Sequence, residues 1–134
     1  MTAVRVLVAD DNEDHRFLTI RALRDIPDIE LEIETAADGE EALEAVRAER
    51  PHLVLLDLKM PKVDGFDVLR AIKGNPELRT IATVVLTSSD RPEDVRTAYE
   101  LGGNSYVTKP TTAAGLRDGL RKLGEYWTGV SRLP

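Results

Sequence analysis

Five short runs rich in β-branched and apolar residues punctuate the chain: "VRVLVA" (4–9), "IELEIETA" (29–36), "HLVLL" (52–56), "IATVVLT" (81–87) and "NSYVT" (104–108). The first, third and fourth are apolar almost throughout, as in strands of a parallel sheet covered on both faces, whereas "ELEIE" alternates like an edge strand. Between them, apolar residues recur at helical spacing: Phe17, Ile20, Leu23; Ala42, Leu43, Val46; Phe66, Leu69, Ile72; Val95, Ala98, Leu101; Leu116, Leu120, Leu123. Asp38-Gly-Glu-Glu41 and Asp90-Arg-Pro-Glu93 have the form of capping boxes. Gly74-Asn75-Pro76 and Gly102-Gly103 are stop signals expected to supply left-handed residues. The pattern predicts (βα)5, an α/β doubly wound fold with a five-stranded parallel sheet and helices on both faces. A sheet of this kind in order 2-1-3-4-5 binds ligands beyond the carboxyl ends of its strands, between strands 1 and 3.

Length and composition narrow the picture. With 134 residues, 42% hydrophobic and 31% charged, the chain suits one globular domain with a sizeable core, and a second does not fit. Without cysteine there is no disulfide framework and no thiolate metal site. "MTAVRVLVADDNED" lacks a signal-peptide pattern and no apolar run approaches the roughly 20 residues of a membrane span, so a cytoplasmic protein is expected. A net charge of −6 without a basic run argues against nucleic acid or membrane as direct partner and for a protein partner.

The strand ends carry the chemistry. Strand 1 ends at Asp10-Asp11, strand 3 at Asp57, strand 4 at Thr87-Ser88 and strand 5 at Lys109-Pro110, all on one edge. Three carboxylates in one crevice repel, and the pKa of at least one should rise unless a divalent cation joins them. Mg²⁺ fits, since it accepts one or two carboxylates and a carbonyl while keeping waters that a phosphate oxygen can replace. An aspartate there can be a nucleophile that forms an aspartyl phosphate, with Lys109 and Thr87 holding the oxygens of the transferring group.

"VLVADDNED", "LVLLDLKMPKVDGFDVL", "VVLTSS" and "LGGNSYVTKP", in this order and spacing, resemble the motifs of response-regulator receiver domains of bacterial two-component signalling, over about Val4 to Leu123. The resemblance implies a flavodoxin-like receiver fold at 1–123, followed by a tail at 124–134 with no output domain. It implies that Asp57 accepts a phosphoryl group from a histidine kinase. Asp11 and Asp57 would ligate Mg²⁺ with the carbonyl of Lys59, and Asp10 would help through a water. Thr87 and Lys109 would bind the phosphoryl group, Tyr106 would be a rotamer switch coupled to Thr87, and the Lys109–Pro110 bond would be cis. "NSYVTKP" and "LGEYW" are similar to small single-domain receivers that partner phytochrome-type kinases.

Other residues have plainer readings. His52 starts strand 3, away from the acids, and is read as structural; His15 is near the crevice in sequence only. Gly65, in the loop after the acceptor, is expected to take a backbone angle barred to other residues. Tyr126 and Trp127 either pack back onto helix 5 or belong to an interface, and the face holding Tyr99, Tyr106 and helix 5 is a candidate for kinase docking or a homodimer. Lys59 and Ser89, two places beyond Asp57 and Thr87, offer no amide or carboxylate to orient a hydrolytic water, so a long-lived phosphoryl group is expected. The rival reading is a metal-dependent phosphohydrolase working through an aspartyl phosphate. It lacks the Asp-x-Asp pattern, because Asn12 follows Asp10-Asp11. A third, an FMN binder, is disfavoured by the acidic first loop.

Overall fold

Burial on both faces decides which strands are central. The computed structural model describes residues 3–134. It joins β1 (Val4–Ala9), β2 (Leu31–Ala36), β3 (Leu53–Leu56), β4 (Ala82–Thr87) and β5 (Ser105–Thr108) into one parallel sheet of order β2-β1-β3-β4-β5. β3 and β4 are buried along their whole length, while β2 and β5 are partly exposed edges. The intervening helices are α1 (Glu13–Arg24), α2 (Gly39–Glu49), α3 (Gly65–Lys73), α4 (Pro92–Glu100) and α5 (Ala113–Glu125). Strand alternation splits the core in two. Leu7, Val54, Leu56 and Val85 meet Ala42, Val46, Val68, Leu69, Ile72 and Ala98 on the α2, α3 and α4 side. Val6, Val8, Leu53, Leu55, Val84 and Leu86 meet Ala22, Leu23, Leu116, Leu120 and Leu123 on the α1 and α5 side. Among the described residues no helix is long and apolar enough to cross a membrane.

Local signals are obeyed at some ends and overridden at others. Asp38 accepts the Glu41 N–H at 2.8 Å as expected of a capping box, but Glu41 reaches back to the N–H of Ala37, one residue before the cap, at 3.3 Å. Asp90 does not cap α4. Pro92 takes the first helical position, where no N–H is needed, so the cap falls on Arg91, whose guanidinium binds Glu93 at 2.6 Å. Gly102 ends α4 with φ of +100°, but Gly74 ends α3 with φ of −82°, an ordinary right-handed value. Phe17 is 58% exposed, under the Arg21 guanidinium, rather than in the core; α1 buries Thr19, Ala22 and Leu23 instead. Beyond α5 a π-helical turn, Tyr126–Val130, separates the aromatic pair: Trp127 packs on the α1/α5 core while Tyr126 stands half-exposed, edge-on to it at 5.4 Å.

Candidate functional site

Register carries the polar residues to a common edge. Ala9 pairs with Leu56, and the ladder runs one step further with the Asp57 N–H donating to the Ala9 carbonyl at 2.9 Å. At the other side the Lys109 N–H donates to the Thr87 carbonyl at 2.7 Å. Asp10, Asp57, Thr87 and Lys109 are thereby buried at the carboxyl edge, with Asp11 exposed beside them. Carboxylate oxygens of Asp10, Asp11 and Asp57 lie within 4.8 Å of one another.

Lys109 neutralises part of this charge. Its Nζ donates to Asp10 Oδ2 at 2.6 Å and to Asp57 Oδ2 at 3.1 Å. Asp10 Oδ1 accepts the Asn12 N–H at 2.9 Å and Asp57 Oδ1 the Lys59 N–H at 3.3 Å. Burial pushes the Asp10 carboxyl above its ordinary value, against the pull of Lys109 and the Asn12 N–H, and the charge on Asp57 adds least. The expected rise is present, but desolvation rather than like charge is its main cause. An open cavity of about 200 Å³ lies over the acids, lined by Asp11, Asn12, His15, Asp57, Lys59, Thr87, Ser88 and Lys109.

The loop after Asp57 folds back on it, with the Gly65 N–H donating to the Leu58 carbonyl at 2.8 Å. Gly65 has no positive φ. Its necessity is steric, since a Cβ there would lie 2.2 Å from the Asp57 carbonyl oxygen. On the β4 side the Ser89 hydroxyl is taken by Asp94 at 2.6 Å, and the Tyr106 hydroxyl donates to the Ser89 carbonyl at 2.8 Å. The Tyr106 ring is therefore turned toward the β4–α4 loop, and burial pushes its phenol up, opposed by the Ser89 bond. No peptide bond among the described residues is cis, so Lys109–Pro110 is trans, contrary to the isomer the resemblance implies. The two isomers of such a bond differ by only about 0.5–1 kcal/mol, which leaves the choice to the surroundings.

Sequence reasoning missed His15 and Asp94. His15 Nδ1 lies 3.0 Å from Lys109 Nζ, inside the crevice. Its helical phase was the available signal: His15, Thr19 and Ala22 follow at i, i+4 and i+7 on the buried face of α1. Phe17, on the stripe that the apolar spacing marks, lies about 200° around the helix from His15.

The chain belongs to the response regulator receiver domain family, whose model matches residues 6–121. It is 39% identical over 135 residues to the probable methanogenesis regulatory protein FilR2 of Methanothrix harundinacea, covering 96% of this chain and 86% of that protein. It is 36% identical over 138 residues to the response regulator Rcp1 of a Synechocystis species, covering 98% and 92%. The structure of the Mn(2+)-bound form of Rcp1 superposes with a TM-score of 0.94 at 33% identity, covering 98% of this chain and 99% of that one. That of the phosphorylated cyanobacterial phytochrome response regulator RcpA does so with 0.95 at 34%, covering 99% of both. The protein is thus a two-component signalling protein of the response-regulator type, and the phosphohydrolase alternative finds no support.

Proposed function

We propose that the protein is a phosphorylation-controlled switch that takes a phosphoryl group onto Asp57 from the phosphohistidine of a sensor histidine kinase of the phytochrome type. The setting of Asp57 carries the reading: it is buried, bonded to Lys109 Nζ, beside two further acids, and open to a cavity shared with Thr87. Similarity to Rcp1 and RcpA along nearly their full lengths supports the kind of kinase. In the transfer a carboxylate oxygen of Asp57 attacks phosphorus in line; the P–O bond forms as the P–N bond to the donor imidazole breaks, and that nitrogen keeps the electron pair. Lys109 and the Thr87 hydroxyl meet the charge that spreads over the equatorial oxygens.

Asp10, Asp11 and Asp57, with the backbone carbonyl of Lys59, suit a hard divalent cation: the donors are all oxygens, and three carboxylates against one ammonium leave two negative charges to balance. Mg²⁺ is the cation we assign, and when bound it neutralises charge on the transferring group. For the output, attraction of the Thr87 hydroxyl to the phosphoryl group biases Tyr106, and the face of α4, β5 and α5, where Tyr99 is half-exposed, is what a partner or a second copy reads. We take 1–123 as the receiver and 124–134 as its tail.

Lys59 is exposed in the mouth of the cavity and Ser89 is occupied by Asp94, so neither orients an attacking water, which supports slow autodephosphorylation. Lys59→Asn should speed the loss of phosphate severalfold, and an unchanged decay would reject this account of the lifetime. The test of the main reading is intact mass after incubation with a small-molecule acyl phosphate and Mg²⁺. One phosphate is expected on the wild type and none on Asp57→Asn or after chelation; equal uptake by Asp57→Asn would remove the assignment.

A further inference from the structure

A lysine ammonium has three N–H groups, and Lys109 has a partner for each: Asp10 Oδ2, Asp57 Oδ2 and, at 3.0 Å, His15 Nδ1. An ammonium cannot accept, so Nδ1 is the acceptor and the His15 ring carries its proton on Nε2. The His15 backbone is held on both sides, its N–H donating to Asn12 Oδ1 at 2.9 Å and its carbonyl accepting from the Thr19 hydroxyl at 2.8 Å. Asn12 in turn donates its N–H to Asp10 Oδ1. Asp10, Asn12, His15 and Lys109 therefore close a ring of hydrogen bonds.

We propose that His15 is a positioning residue for phosphoryl transfer, fixing the direction of the Lys109 ammonium. The groups on a tetrahedral nitrogen are not independent: holding two N–H bonds aims the third. Asp10 and His15 hold two, and the third points at Asp57 Oδ2. A divalent cation on the acid cluster would share the oxygens of Asp10 with Lys109 and weaken that hold without removing it. A hard cation prefers those oxygens to an imidazole, so His15 is the hold on Lys109 that the loaded site would leave at full strength. Loss of that hold lets the ammonium wander from the line where it meets the phosphoryl oxygens, and misaligned catalytic groups lose rate.

The inference rests on Asp57 being the acceptor, and the experiment separates the two. Wild type, His15→Ala, His15→Asn and His15→Phe are phosphorylated with acetyl phosphate at saturating Mg²⁺, and rate constant and half-saturation are read separately by intact mass. His15→Ala and His15→Phe should lower the rate constant about tenfold or more, the kinetic equivalent of one hydrogen bond from a charged donor, with half-saturation unchanged. His15→Asn, whose amide oxygen can accept from Lys109, should recover most of the rate. His15→Phe retains the ring volume and gives the same comparison if the alanine variant fails to fold. In the metal-free protein, the imidazole ¹⁵N spectrum should show an unprotonated Nδ1 whose resonance moves on Lys109→Met. Equal rates for His15→Phe and wild type, or an Nδ1 resonance indifferent to Lys109→Met, would overturn the role of His15 and leave Asp57 as acceptor. Failure of the wild type to take up phosphate, or uptake by Asp57→Asn, would overturn both.

Discussion

The two ends of the sheet contain the same kind of contact in opposite surroundings. At the carboxyl end His15 Nδ1 accepts from the Lys109 side chain; at the amino end His52 Nδ1 accepts the backbone N–H of Arg5 at 3.0 Å, and the Arg5 guanidinium donates to the Arg50 carbonyl at 3.2 Å. The anions differ. Three carboxylates crowd the first end, whereas the second is closed by backbone groups and by the tail, with Trp127 and Leu133 packed on the core. Chain polarity explains the asymmetry, because every helix in a βα unit starts above the carboxyl end of a strand. The caps Asn12, Asp38, Asp64 and Thr112 all lie there, with helix N-termini that favour negative charge. One end gathers carboxylates beneath helix N-termini and the other is sealed.

The largest expected effect is at the charged end. Lys109→Met leaves buried Asp10 and Asp57 without their cation, so the metal-free protein should lose about 3–5 kcal/mol in urea unfolding. Added Mg²⁺ should restore part of it, because a ligand bound only to the folded state stabilises it. An unchanged midpoint without Mg²⁺ would mean that the acids do not depend on Lys109. Next come two glycines. Gly65→Ala drives a Cβ against the Asp57 carbonyl and should cost about 2–3 kcal/mol. At the amino end, Gly124→Ala meets only side-chain ends, Ile26 Cδ1 at 2.6 Å and Leu23 Cδ2 at 3.0 Å, and gains about 0.5–1 kcal/mol of helix preference. Near-neutral melting is therefore expected for Gly124→Ala, and equal losses at both sites would contradict the contrast between backbone and side-chain contact.

The tail offers a finer test. Trp127→Ala should cost about 1–2 kcal/mol, below the value for full burial, and Tyr126→Ala less than about 0.5 kcal/mol. The smallest effect is at His52, whose pKa is lowered first by burial and then by Arg5. With a folded-state pKa below the unfolded value of 6.5, its contribution is fully present above pH 6.5 and is lost as pH falls through the folded value. After solvent screening this amounts to a few tenths of a kcal/mol. His52→Asn keeps an acceptor for the Arg5 N–H without titrating there, so its melting temperature should fall less than that of wild type between pH 7 and pH 5. Identical slopes would exclude His52 as the cause.

The acid cluster and its cation were legible because strand period and βα alternation are local. Counting to the end of each apolar run places Asp10, Asp57, Thr87 and Lys109 on one edge before any contact is known. Helix ends were less legible: Asp90-Arg-Pro-Glu93 has the letters of a capping box, yet Pro92 moves the start beyond Asp90. Gly65 stands out in the sequence, but its constraint is the approach of a chain segment eight residues earlier rather than its own φ.

By itself, then, the sequence determined the number and order of the elements, the central and edge strands, and which charged groups reach the carboxyl edge. Only the tertiary structure decided how α1 is turned about its axis. Its sequence offers two stripes, one through Phe17, Ile20 and Leu23 and one through His15, Thr19 and Ala22, and the first is the more apolar. Docking against α5 and the sheet buries Ala22 and Leu23 together. That single rotation exposes Phe17 and carries His15 to Lys109, a residue 94 places away, and no local pattern encodes a contact that two separately folded segments make only when packed.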